Sequence, residues 1–110
     1  MAIQYNLHID AGATFIRDLV YTNPDGTLFD LTGYTAKLQI RPTASSATKT
    51  LEVIPEINVV TATVTFTFTA VQTAALTGSY VYAIELYAPT GGVVIRLAEG
   101  AVVVSPEVVR

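Results

Sequence analysis

A β-sandwich is the fold predicted by this sequence, and three observations predict it. Short runs of alternating apolar and polar residues recur along the chain, and turn signals separate them roughly every eight to twelve residues. Helix signals are confined to one segment near residues 70–76. The clearest run has threonine at 61, 63, 65, 67 and 69, with Ala62, Val64, Phe66 and Phe68 between. Period two puts one set on a core and the other on the opposite face of a sheet. This strand lies within residues 57–84, which contain no Asp, Glu, Lys, Arg or His. Exposed sheet surfaces ordinarily carry Lys and Glu, which also discourage pairing with other chains. A neutral face of β-branched hydroxyls therefore points to a partner that covers it.

The other elements follow in order. Ile3, Tyr5, Leu7 and Ile9 alternate with Gln4, Asn6 and His8 in a first strand that stops at Gly12. Residues 13–21 form a second, rich in Phe, Ile, Leu and Val. Asn23-Pro24-Asp25-Gly26 is a turn, with proline placed to preset φ and glycine placed to accept a positive φ. Asp30-Leu31-Thr32-Gly33 is another. Residues 34–41 form a strand with Ala36, Leu38 and Ile40 inward and Lys37, Gln39 and Arg41 outward. A small-residue loop at 42–48 leads to a short strand at 50–54, ended by Pro55, and then to the threonine strand.

Thr69-Ala70-Val71-Gln72 has capping-box spacing and opens about two helical turns, closed by Gly78. Residues 79–87 are a strand with Tyr80, Tyr82, Ile84 and Leu86 on one face. Glu85 on the other face argues that the tyrosines point inward. Pro89-Thr90-Gly91-Gly92 turns the chain into residues 93–98, and residues 101–104 continue until Pro106. The expected whole is an antiparallel, immunoglobulin-like sandwich of seven to eight strands. In such sandwiches a helical turn before a late strand marks the corner between sheets, where a tyrosine hydroxyl bonds back to the backbone. Tyr80 is the expected corner tyrosine, bonded to backbone within residues 69–76. The Cys–Trp–Cys pattern of antibody domains is missing.

Composition sets the limits. The 110 residues make one domain, 1–110, able to bury roughly two-thirds of its unfolded surface. Without cysteine there are no disulfides and no thiolate metal sites. Charged residues are 14%, against about 25% in average soluble domains. A net charge of −3 supplies no electrostatic attraction for nucleic acid. No apolar run reaches the ~18 residues of a membrane span. Residues 1–10 lack the basic start of a signal peptide, so the expectation is cytoplasmic synthesis without a membrane partner.

Catalytic and metal chemistry find little support. His8 stands alone, with Asp10 as its nearest same-face carboxylate and no nucleophile motif beside it. The serines at 45, 46, 79 and 105 occupy no Gly-x-Ser-x-Gly elbow. Asp10, Asp18, Asp25 and Asp30 lack calcium-loop spacing, and Asp25 and Asp30 already serve turns. Gly91-Gly92 is a hairpin turn and not a phosphate cradle. No catalytic residue, cofactor or metal is expected. A single threonine row, with Lys37, Gln39, Arg41 and Arg96 assigned to neighbouring strands, is too narrow to order ice. Tyr5, Tyr21, Tyr34 and Tyr87 remain as loose candidates for a sugar platform.

Several segments resemble a known family. Tyr5-Asn6-Leu7, Gly12-Ala13-Thr14-Phe15 and Asp30-Leu31-Thr32-Gly33-Tyr34-Thr35-Ala36 leading into Gln39-Ile40-Arg41 are similar to small virion proteins of tailed bacteriophages. The closing half resembles them too, through Thr73-Ala74-Ala75-Leu76, Gly78-Ser79-Tyr80-Val81-Tyr82, Glu85-Leu86, Arg96-Leu97, Gly100 and Ser105-Pro106-Glu107-Val108. The Asp-Leu-Thr-Gly-Tyr segment is also similar to the N-terminus of phage baseplate upper proteins. The resemblance implies a virion location, an immunoglobulin-like sandwich and a structural role in a tail, baseplate or fibre-attachment assembly. It implies no catalytic residue.

The expected partners are other virion proteins or copies of the same chain, in a symmetric assembly. Thr63, Thr65, Thr67, Val102, Val104, Val108 and Val109 are the expected contact residues. A lysine at Thr65 or Thr67 is expected to spare the fold and disrupt assembly. The alternative is a carbohydrate-binding or adhesin module carried by the loops at 23–26, 43–48 and 90–92. A capsid-surface decoration protein is a second alternative.

Overall fold

The structure is a computed structural model that describes residues 3–106, which form nine strands and one short helix. The strands are β1 (Ile3–Gln4), β2 (Leu7–Asp10), β3 (Phe15–Val20), β4 (Thr35–Arg41), β5 (Leu51–Val53), β6 (Glu56–Asn58), β7 (Thr63–Phe68), β8 (Ser79–Tyr87) and β9 (Val94–Ser105). The helix α1 (Ala70–Ala74) precedes β8. The larger sheet has the order β1-β9-β8-β4-β5, with β2 also pairing with β9. The smaller has the order β3-β7-β6. The two form the expected all-β sandwich.

Alternation builds the core as expected. Ala36, Leu38 and Ile40 of β4, with Tyr82, Ile84 and Leu86 of β8, face Val64, Phe66 and Phe68 of β7. Phe15 of β3 stacks on Phe68 with ring centroids 5.7 Å apart. Both early turns form. The amide of Gly26 donates to the carbonyl of Asn23 at 2.9 Å, and that of Tyr34 to Leu31 at 3.0 Å.

The capping box is also present. Thr69 Oγ1 accepts from the Gln72 amide at 3.2 Å, while Gln72 Oε1 accepts from the Thr69 amide at 2.9 Å. Buried Thr73 then ties the helix to the turn between β2 and β3. Its hydroxyl accepts from the Gly12 amide at 3.0 Å and donates to the Ala13 carbonyl at 2.9 Å. Tyr80 is half-buried rather than buried, and its hydroxyl accepts from the Thr77 amide at 3.0 Å. The corner bond therefore lies one residue beyond the expected segment.

Four features differ from expectation. First, the sandwich is not wholly antiparallel: β1 and β2 run parallel to β9, with Gln4 opposite Glu99 and Leu7 opposite Val102. Residues 5 and 6 interrupt this edge, where the Asn6 side-chain oxygen accepts from the Ala101 amide at 3.0 Å in place of a main-chain partner. Second, residues 94–105 form one strand carrying a bulge. Ile84 pairs with Ala98 but Glu85 with Arg96, so Leu97 is the extra residue and the alternation restarts after it. Leu97 and Ala98 are consequently both buried.

Third, Thr61 and Ala62 lie in a turn before β7 rather than in the strand. Ala62 has φ +52°, and its carbonyl accepts from the Tyr21 amide at 2.9 Å. That turn closes a hairpin with β6, a three-residue strand too short and polar to stand out in the sequence. Fourth, Val102 and Val104 are in the domain's own core, at 0% and 8% exposure. Pairing of β9 with both β8 and β2 places them between the sheets, so their assignment to an intermolecular contact is corrected. Val108 and Val109 lie outside the described residues.

Candidate functional site

The outer face of the larger sheet is concave, and its shape follows from side-chain size. Val81 and Ala83 of β8 point outward at the middle of the sheet, next to Gly100 and Ala101 of β9. Taller side chains stand on both sides, Lys37, Gln39 and Arg41 on β4 and Arg96, Glu99 and Gln4 on β9 and β1. A trough of about 550 Å³ runs between them. Ligand pockets commonly fall between about 300 and 1,000 Å³.

Strand register arranges the polar groups in rows. One row crosses the sheet as Glu52, Gln39, Ala83, Glu99 and Gln4. A second runs Lys37, Glu85 and Arg96. The bulge at Leu97 joins the rows. Residues three apart on a regular strand face opposite ways, yet Arg96 and Glu99 share the outer face because the bulge resets the phase. Arg96 Nη1 reaches Glu99 Oε1 at 3.0 Å, and Nη2 reaches Glu85 Oε2 at 3.5 Å.

The remaining carboxylate oxygens are also held. Gln4 Nε2 donates to Glu99 Oε2 at 2.8 Å, and the Tyr87 hydroxyl donates to Glu85 Oε1 at 3.1 Å. On the opposite wall Arg41 Nη2 donates to Gln39 Oε1 at 2.8 Å, and Nη1 to the Ser46 carbonyl at 3.0 Å. Gln39 in turn donates to Glu52, which Lys49 approaches at 3.1 Å. The Gln39 amide first, and Lys49 second, hold the Glu52 carboxyl below its ordinary range. The Glu99 hydrogen bond, then its charge, raises Arg96, which stays protonated. Burial, followed by the hydrogen bond to Glu85, raises the Tyr87 phenol. The polar side chains of each wall thus hydrogen-bond to one another while staying partly exposed.

Thr63, Thr65 and Thr67 lie on the outer face of the smaller sheet, away from the trough. Their neighbours are β3 and β6, so Lys37, Gln39, Arg41 and Arg96 belong to the other sheet and not to adjacent strands. The threonine face is not free of charge. Asp18 and Glu56 both stand opposite Thr65, and Thr65 Oγ1 donates to Asp18 Oδ1 at 2.8 Å. Ile16, opposite Thr67, and Val20, opposite Thr63, are 54% and 52% exposed. Val60, at the tip of the β6–β7 hairpin, is 84% exposed.

The three loops assigned to a carbohydrate site do not converge. Arg41, which enters the 43–48 loop, pairs with Val81 near the start of β8, whereas the 90–92 loop follows its end at Tyr87. At ~3.3 Å per residue, the six steps from Val81 to Tyr87 separate the two loops by about 20 Å. His8 and Asp10 are exposed on β2, opposite Val103 and Ser105. Asp25 and Asp30 accept from the hydroxyls of Thr27 and Thr32, each at 2.6 Å, and from the same residues' amides at 3.0 Å. These bonds, the hydroxyl ones first, lower both carboxyls. Among the described residues no three His, Cys, Asp or Glu side chains gather as a metal set. Compared with known proteins, the chain matches no family model and no curated protein.

Proposed function

We propose that this chain is a non-catalytic structural module of a tailed-bacteriophage virion, belonging to a tail, baseplate or fibre-attachment assembly. Its sheet β3-β7-β6 packs against another virion protein or another copy of itself. The observation that carries this reading is the outer face of that sheet, where exposed Ile16 and Val20 flank Thr63, Thr65 and Thr67. The sequence resemblance to phage virion proteins, with its immunoglobulin-like sandwich, supplies the setting.

Strand β3 supports face-on packing over addition of a further strand. Arg17 points to the inner side of this edge strand, opposite Phe66, with its guanidinium 4.2 Å from the Phe15 ring centre. An inward charge on an edge strand opposes pairing with a foreign strand. The partner is accordingly expected on the face.

The test is to identify this chain in purified particles of the phage that encodes it and to place it in their density. Thr67→Lys and Ile16→Lys chains are then compared for incorporation. Expected is a chain seated in the tail or baseplate by the threonine face, with both variants folded but poorly incorporated. A chain absent from particles overturns the reading. Normal incorporation of both variants overturns the face, and density on the capsid surface establishes the decoration alternative instead.

A further inference from the structure

We infer that the trough on the outer face of the larger sheet is a binding site for a short, uncharged oligosaccharide. This goes beyond the structural role, because the trough and the threonine face lie on opposite sides of the sandwich.

Three properties of the trough select this class of ligand. Its floor is apolar and low, made by Val81, Ala83, Gly100 and Ala101, and can receive the C–H face of a sugar ring. Its walls carry planar donors and acceptors on both sides, in the Gln39 and Gln4 amides, the Arg41 and Arg96 guanidinium groups and the Glu85 and Glu99 carboxylates. Sugar hydroxyls are both donor and acceptor, so such mixed walls satisfy them from either side. The hydrogen bonds that already hold these walls lower the ordering cost of binding.

Charge rejects the competing ligands. Lys37, Arg41 and Arg96 line the trough with Glu85 and Glu99, and Arg96 is already paired with both carboxylates, so the single excess positive charge is too little to retain a phosphate chain or an acidic polymer. A peptide strand would need a free main-chain edge. The floor strands β8 and β9 instead pair on both sides, and the trough opens onto the sheet face. From Val81 to Glu85 the floor extends about 13 Å at ~3.3 Å per residue, the length of a few sugar rings.

The test uses the whole chain, labelled with ¹⁵N, and neutral tetrasaccharides of glucose, galactose, rhamnose and N-acetylglucosamine as probes. Expected is that at least one shifts the amide signals of Ala83, Glu99, Gly100 and Ala101 with saturation below about 10 mM. Ala83→Trp, which fills the floor, should reduce that affinity at least about tenfold. Gln39→Ala should weaken it as well, and decides the outcome if the tryptophan variant does not fold. Thr67→Lys should leave it unchanged, which separates this site from the assembly face. No shifts with any neutral probe up to about 10 mM, shifts confined to the loops at 23–26, 43–48 and 90–92, or binding of heparin oligosaccharides alone would each overturn the inference.

Discussion

The hydroxyl of Tyr82 donates to the main-chain carbonyl of Tyr5, joining β8 to the link between β1 and β2 across the intervening strand β9. The residue of β9 paired with Tyr82 is Gly100. A Cβ at that glycine would lie 2.5 Å from the Tyr5 oxygen. Missing side-chain volume at one position thus allows a buried phenol to anchor the first strand.

Tyr82→Phe is expected to destabilise the domain by about 1–3 kcal/mol, because the Tyr5 carbonyl keeps its burial and loses its donor. Burial first, then Tyr5, pushes the Tyr82 phenol up to about 12, against 10.0 normally. The unfolded chain therefore loses this proton before the folded one does. The resulting stability is complete below pH ~10 and disappears between pH ~10 and ~12. Melting temperature followed across that range should fall more steeply for the natural protein than for Tyr82→Phe.

Gly100→Ala should also be costly, although alanine suits a strand better than glycine. Its methyl group meets main-chain atoms of Tyr5, which cannot rotate away. Overpacking of this kind costs about 1–3 kcal/mol, measurable by urea unfolding. A variant as stable as the natural protein would show that the β1–β2 link moves freely.

Two threonines around α1 should differ in effect. Thr69→Ala removes an exposed N-cap and is expected to cost about 1 kcal/mol. Thr73→Val removes the buried hydroxyl that the part-buried Gly12 amide and Ala13 carbonyl share, an expected loss of about 1–3 kcal/mol. The order of their unfolding midpoints checks this.

Arg17→Val should leave the fold intact and raise self-association. The inward charge on β3 is removed while Ile16 and Val20 remain exposed, so the edge becomes a better template for strand pairing. Light scattering against concentration, compared with Arg17→Lys, measures the effect.

Thr65→Lys and Thr67→Lys are not equivalent probes of the threonine face. A lysine at 65 loses the bond to Asp18 but gains two carboxylate neighbours, Asp18 and Glu56, whereas Thr67 stands opposite Ile16. Both should change stability by no more than about 0.5 kcal/mol in thermal melts. Thr67→Lys places the less compensated charge and is the sharper test of assembly.

Local patterns in the sequence determined much of this protein. The alternation in β4, β7 and β8 sorted inward from outward residues, because successive side chains on a strand must point opposite ways. The turns at residues 23–26 and 30–33 and the Thr69–Gln72 capping box were legible for the same reason: each is built from neighbours in the chain. Thr63, Thr65 and Thr67 were correctly placed on an outer face. The charges beside them were not, since Asp18 and Glu56 arrive from strands that sequence distance does not identify.

Only the tertiary structure decided that β1 and β2 run parallel to β9, which moved Val102 and Val104 into the core. It also decided that Leu97 forms a bulge. That single extra residue puts Arg96 and Glu99 on one face, where strict alternation separates them, and it thereby completes one wall of the trough. Register between distant strands is set by how whole faces pack, and no local periodicity carries that information.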